Sequence, residues 1–347
     1  MEPKYFTPAF MEKIADFTAP LSKEELDTYI TEGDASAEIR DREGLGALRY
    51  LELVETIGTY LLDTSGKNFT SDYREFAITD TVRLFSFELP GGGNLYLFMT
   101  PSGKMIVDTG YGCYFKDCEK MISALGLGDF SDVNCVVCTH GDADHCGASG
   151  YFQTAPLMHP ITKALLDSGT RNYHSQNTLG LLEKAYTTAI NTFSRMYVPE
   201  TVRLCRTEKI AEHGLFSVID TLDFAGMHFE IWESLGGHIA GQIFLYEEKL
   251  GLLFTSDALF NFASLSKERA DYCSVADSMI GSVNVNSEIA RTERRELTRL
   301  ALEMDAALQK DGRRLLIACG HGAVSLIHPD GRLEAAGAAK EYRAADY

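Results

Sequence analysis

Thr139–Gly147 reads THGDADHCG and directly follows Val133–Cys138, VNCVVC. His140, Asp142, Asp144 and His145 fall at the end of a run whose short apolar residues predict a buried strand. Metal-type ligands gather where strands end, because loops there converge on one cleft. The arrangement recurs downstream. WESLGGHIAG carries His238, LGLLFTSDA carries Asp257 and LLIACGHG carries His321, each after an apolar or mixed strand-like run. Together with the opening stretch this gives seven candidate ligands, more than the roughly four that one tetrahedral zinc takes. They suit two ions about 3.5–4 Å apart that share a carboxylate and a hydroxide. His159, His174, His213, His228 and His328 read as ordinary loop or core histidines, with His174 in RNYHSQN the one within reach of the cleft.

Working outward, the first eighty residues carry helical signals. PLSKEELDTYI offers Ser22 as an N-cap with Glu25 three positions on, a capping box. LGALRYLELVETIGTYLLD has apolar residues at Leu48, Leu51, Val54, Ile57 and Leu61, which predicts one dry helical face, and TSGKNFTSD reads as a loop. Residues 1–80 are therefore expected to be a helical extension and 81–347 the catalytic domain. TVRLFSFELP, NLYLFMT and KMIVDTG predict strands, with turns at GGGN and PSGK, and a helix is expected over Phe115–Leu125. Residues 156–199 read as a helical insertion. FSVID, MHFEIWE, QIFLYEE and LGLLFTSD predict a second set of strands. A long helix, SEIARTERRELTRLALEMDAALQK, the late strand RRLLIACGHG and a closing hairpin, LIHPDGRLEA, complete the chain. Two sets of strands with helices between and after them predict a layered α/β sandwich. The insertion and the N-terminal helices are expected to roof the cleft. Tyr151, Phe152, Tyr173 and Tyr186 are candidates to line it, with core packing the reading for at least half of them. Arg291, Arg294 and Arg295 read as a solvated helix face.

In this order the motifs resemble the metallo-β-lactamase-fold superfamily, whose signature H-x-H-x-D-H precedes a distant histidine, a bridging aspartate and a last histidine. HGDADH, GGHIAG, TSD and CGHG stand here in that sequence. MIVDTG resembles the family's first motif, whose aspartate, here Asp108, supports the ligand loop. The resemblance covers about residues 81–325 and implies a four-layer αβ/βα sandwich carrying the helical extension and insertion. It implies that His140 and His238 hold a first ion, that Asp144, His145 and His321 hold a second, and that Asp257 bridges them. Asp142 departs from the pattern, which has histidine there. A carboxylate in that place still donates an oxygen and makes the first position harder and more negative, favouring iron or manganese relative to zinc. The flavodiiron branch of the family carries a glutamate at that place, but no flavodoxin-like segment follows here.

The expected function is a di-metal hydrolase, with zinc as the first choice of metal and iron or manganese as alternatives. Asp144 and Asp257 would hold a bridging hydroxide for attack on a small ester, lactone, thioester or phosphodiester, and Asp142, Asp144 or a water on the metal would return the leaving group's proton. The alternatives are a flavodiiron-like diiron oxidoreductase with a separate electron donor and a non-catalytic, metal-stabilised binding protein. A net charge of −18 makes nucleic acid and membrane surfaces poor partners. A small-molecule substrate is expected, and a homodimer is allowed. Met1–Phe17 lacks the pattern of an export signal and no apolar stretch is long enough to span a bilayer, so a cytoplasmic chain is expected and a true β-lactamase role is not. The eight cysteines read as reduced thiols. Cys135 and Cys138 lie three apart on a strand and face opposite ways, which makes them a poor metal clamp, and Cys146 reads as packing beside the ligands.

Overall fold

Alternation along the strands builds the architecture. In Asn94–Thr100, Leu95 and Leu97 face one core while Tyr96 and Phe98 face another, and Ile106 is likewise opposed to Met105 and Val107. A sheet that is apolar on both faces has to be covered on both. The computed structural model, which describes residues 3–19, 21–44, 46–171 and 180–347, shows how.

The first sheet takes β1 (Thr70–Ala77), β2 (Arg83–Glu88), β3 (Asn94–Thr100), β4 (Gly103–Val107), β5 (Val133–Val137), β6 (Leu157–Met158) and β7 (Arg203–Leu204). The second takes β8 (Ala211–His213), β9 (Phe216–Phe224), β10 (Met227–Glu233), β11 (Ile243–Glu247), β12 (Leu252–Asn261), β13 (Leu316–Gly322), β14 (Ser325–Ile327) and β15 (Leu333–Ala335). The last strand, β16 (Lys340–Arg343), returns to pair with β1, so the orders are 16-1-2-3-4-5-6-7 and 15-14-13-12-11-10-9-8. β4 to β7 run parallel, as do β12 and β13, while the other neighbours are antiparallel.

The helices are α1 (Pro8–Lys13), α2 (Ala15–Thr18), α3 (Lys23–Arg42), α4 (Ala47–Asp63), α5 (Phe115–Ala124), α6 (Ala143–Cys146), α7 (Pro160–Ser168), α8 (Gly180–Phe193), α9 (Lys267–Ile280) and α10 (Ser287–Gln309). Between the sheets lie Phe98, Val107, Val137, Phe229, Leu245 and Phe254. Outside the first sheet, Phe85, Leu97 and Val136 pack on α4, α5, α8 and α9. Outside the second, Trp232, Phe244 and Ile317 pack on Leu297, Leu300 and Ala301 of α10. The result is the expected four-layer αβ/βα sandwich. Cys135 and Cys138 fall on opposite faces of the first sheet, in different cores.

Some expectations need correction. The N-terminal helices end before residue 80, since Thr70–Ala77 is β1, held between β2 and β16. The 156–199 stretch is not helix and loop alone, because Leu157–Met158 pairs with β5. Leu48 is 76% exposed. It lies on the Glu52–Thr56–Thr59 stripe of α4, while Leu51, Val54, Ile57 and Leu61 face inward as expected. Helix α9, with Ser266 capping its start, was not expected, although Tyr272, Val275, Met279 and Ile280 stand at helical spacing. The Ser22–Glu25 capping box is present. No helix among the described residues is long and apolar enough to cross a membrane.

Candidate metal centre

The loops that leave β5, join β10 to β11, and run through the ends of β12 and β13 meet at one edge of the sandwich, as ligand sites in α/β sheets do. A single turn of helix after β5 sets out Asp142, Asp144 and His145. In β12 the register against β13 slips between Phe254 and Ser256 and again before Phe260, and Ser256 takes φ 47°. This irregularity bends the strand and turns Asp257 into the cleft. Gly320 of β13 leaves room for that turn, because a Cβ there would stand 1.9 Å from Asp257 Oδ1.

All seven candidate ligands come together. His238 Nε2 lies 3.1 Å from Asp142 Oδ2, and His140 Nε2 lies 3.6 Å from the same oxygen. Asp144 Oδ2 is 3.4 Å from His321 Nε2 and 3.6 Å from His145 Nε2. Asp257 reaches both groups, with Oδ2 3.4 Å from His238 Nε2 and 3.3 Å from His321 Nε2, and Oδ1 3.1 Å from His145 Nε2. Donor atoms within 4.8 Å of one another form the sets His140–Asp142–His238, His140–His145–Asp257 and Asp144–His145–His321.

The outer ring nitrogens are anchored, which aims the inner ones. His145 Nδ1 is 2.9 Å from Asp108 Oδ2, His140 Nδ1 is 2.9 Å from Ser256 Oγ and His238 Nδ1 is 3.3 Å from Asn284 Oδ1. His321 Nδ1 faces the Cys273 thiol at 3.8 Å. Asp108, at φ 56°, also accepts from the Thr139 backbone and hydroxyl at 2.8 Å each, so it holds the ligand loop as the resemblance implied. Inside this frame His140 Nε2, His145 Nε2 and Asp257 Oδ1 are buried and make no hydrogen bond among the described residues. Buried polar atoms rarely go unsatisfied. Orphaned imidazole and carboxylate donors aimed at one space fit divalent ions of the zinc, iron and manganese kind.

The electrostatics follow from burial and crowding. Burial works against charge on Asp257, but His321 and His145 hold its carboxyl well below the usual range. Burial also opposes protonated His145, while Asp257, Asp144 and Asp108 hold that imidazole well above its ordinary value. His140 is pushed down by burial and by His145.

Asp142 has a partner that the sequence did not reveal. Arg171, 3% exposed, donates from Nε to Asp142 Oδ1 at 3.1 Å and from Nη2 to Oδ2 at 2.8 Å, and from Nη1 to the Val283 carbonyl at 2.7 Å. Burial alone would raise the Asp142 carboxyl, but Arg171, His140 and His238 hold it well below its usual range. The extra negative charge expected of the first position is thereby offset by a buried cation. Glu293 of α10 is a second unforeseen residue. It accepts from Ser234 Oγ, Leu235 N and Gly237 N at 2.5, 2.6 and 3.0 Å and fixes the loop that carries His238.

The site opens into a cavity of about 860 Å³. Ile57 of α4, Tyr186 and Ile190 of α8 and Tyr272 of α9 line it, so the N-terminal helices and the insertion roof the cleft as expected. Tyr151 and Phe152 pack on Phe115 instead. Tyr173 and His174 lie outside the described residues. His159, His213, His228 and His328 pair with Glu233, Glu230, Asp223 and Glu334, away from the centre. Cys146 packs behind the loop with its thiol 3.4 Å from the Asp142 carbonyl. Arg291, Arg294 and Arg295 are exposed on α10, as the solvated-face reading has it, and Arg294 also lines the cavity.

The profile of the Metallo-beta-lactamase superfamily matches residues 89–321. No curated protein sequence matches the chain significantly. Among solved structures, a metallo-beta-lactamase from Pontibacter korlensis is 13% identical, with 72% of this chain and 91% of that one covered at a TM-score of 0.41. A subclass B3 metallo-beta-lactamase of Bradyrhizobium japonicum is 14% identical over 72% and 77%, also at 0.41. A Cronobacter sakazakii metallo-beta-lactamase with a HARLDQ motif is 15% identical over 72% and 78%, again at 0.41. Likenesses of this size say nothing about chemistry.

Proposed function

The chain belongs to the metallo-beta-lactamase superfamily, and from that premise we propose that it is a di-metal hydrolase acting on a small ester, lactone, thioester or phosphodiester. The carrying observation is the convergence of seven donors whose inner atoms are buried and in part unpartnered while the outer histidine nitrogens are tied down. When bound, the two ions would supply Lewis acidity, lowering the pKa of water and polarising the electrophile.

The chain supplies the rest. His140, Asp142 and His238 would hold one ion, Asp144, His145 and His321 the other, and Asp257 both. In hydrolysis the oxygen of water bonds to the carbonyl carbon or phosphorus, the bond to the leaving oxygen or sulfur breaks, and a proton goes to the leaving atom. Asp142, kept ionised by Arg171, is unsuited to carry that proton. Asp144 faces the cavity with His145 and His321 beside it but no arginine or lysine paired to it among the described residues, and we assign the proton transfer to it. Tyr186 and Tyr272 line the cleft beside the candidate ligands.

Zinc is the proposed metal. Arg171 offsets the charge that would have recommended iron, so the diiron alternative loses its main support. The eight free thiols, several beside the site, favour a cytoplasmic setting. Elemental analysis of protein purified without added metal is expected to find two zinc ions per chain. A panel of chromogenic esters, thioesters and phosphodiesters should then show turnover that a chelator abolishes and zinc restores. Asp257→Ala should lose most of the metal. A variant that keeps full occupancy and turnover would overturn the bridging role, and two irons with a reductant-bleached visible band would overturn the hydrolytic reading.

A further inference from the structure

The cavity runs from the ligands past an aromatic shelf to an arginine. Phe260 and Phe262 stack at 5.0 Å, nearly parallel, and their ring centres lie 5.6 and 6.0 Å from that of His321. Arg294 of α10 lies over the ring of Phe260, its guanidinium carbon 5.3 Å from the ring centre. Its Nε donates to the Ala258 carbonyl at 3.3 Å, one residue past Asp257. Arg294 and His321 thus both approach Phe260, and all three line the same cavity.

Arg294 has no carboxylate partner among the described residues. Its neighbours do: Arg299 pairs with Glu296 and Glu303, and Arg332, at the same rim, pairs with Asp330. A chain with a net charge of −18 has carboxylates to spare. Here, an arginine is braced by a carbonyl and a ring face while both Nη groups stay available. Such a guanidinium is a pre-ordered fork for an oxyanion. Asp142, Asp144 and Asp257 line the same cavity and repel an anion that is not itself on the ions.

We propose that Arg294 binds an anionic group at the distal end of the substrate, so that the substrate class is an ester or thioester whose acyl part ends in a carboxylate or phosphonate-like oxyanion, with an apolar stretch resting on Phe260 and Phe262. This rests on the hydrolase reading. The split between the labile bond and the anion follows the split between the ligands and Arg294.

The test compares 4-nitrophenyl hexanoate, mono-4-nitrophenyl adipate and 4-nitrophenyl 5-phosphonopentanoate on the metal-loaded enzyme. One charge-assisted contact predicts a kcat/KM about tenfold higher or more for at least one anionic ester than for the neutral one, and which anion leads identifies the group. Arg294→Ala should bring that ratio close to one, mainly through KM, and Arg294→Lys should keep part of it. No preference in the native enzyme, or a ratio that survives Arg294→Ala, overturns the proposal. If no ester turns over, the hydrolase reading fails, and the subsite is judged by calorimetric binding of hexanoate against hexanamide. Tighter hexanoate binding that Arg294→Ala removes supports the subsite, and equal binding, or binding that the variant retains, overturns it.

Discussion

At the scale of single residues, the pairing of Asp142 with Arg171 sets the character of one half of the centre. A carboxylate that shares both oxygens with a guanidinium offers a divalent ion less charge than an unpaired one. Arg171→Met is therefore expected to tighten the ion assigned to His140, Asp142 and His238 by about tenfold, or about 1.4 kcal/mol, read by competition with a chromophoric chelator. Asp142→His should retain metal and shift its preference further towards zinc, measured as the metal content of protein grown with mixed metals. Gly320→Ala forces a methyl group against Asp257 Oδ1 and the Ser256 carbonyl. It should lower metal content and cost about 1–3 kcal/mol of stability in urea unfolding. The ligands were legible because histidine and aspartate declare their chemistry wherever they stand. Arg171 and Glu293 were not, because what they do depends on partners 29 and 58 positions away, and a lone arginine or glutamate in sequence looks the same whether it is buried or wet.

At the scale of elements, legibility tracked periodicity. β3 and β4 alternate cleanly between two cores and were found, and α10 was found by its one-sided face. α9 packs on α4 and α8 through one face that buries Arg269, Tyr272, Val275 and Met279, and the charged arginine that opens that face masks the stripe in sequence. β16 is a short, charged strand whose pairing with β1 cannot be inferred from either segment alone. The junction of α10 and β13 carries a pH prediction. Burial opposes the charge on Asp305, but bonds from Arg314 Nε, the Leu315 backbone and Gln309 hold its carboxyl below the ordinary value. A depressed carboxyl stabilises the fold above its unfolded pKa, about 3.9, and that contribution fades as pH falls through the folded value. Asp305→Asn should lower the urea midpoint at pH 7, and its deficit relative to the native chain should shrink as the pH is taken below about 4.

At the scale of the whole molecule, the cleft gathers loops from both sheets, and its carboxylates repel one another unless cations stand between them. Ions that bind only the folded chain stabilise it by mass action, so a chelator should lower the melting temperature of the native protein and have little effect on Asp257→Ala. The order of layers followed from the two sets of strands. That the insertion and the N-terminal helices roof the cleft was also legible, but most of the side chains that line it were not, because they are chosen by shape rather than by pattern. One small contact gives this arrangement a further property. Gly93, in the turn between β2 and β3, forms a backbone bridge with His321 across the seam between the two sheets. The same residue that faces the centre is thus also a stitch joining two halves. Sliding one half over the other by a fraction of an ångström would spoil the bite on an ion long before either interior came apart, so heat or urea should silence such an enzyme well before melting it.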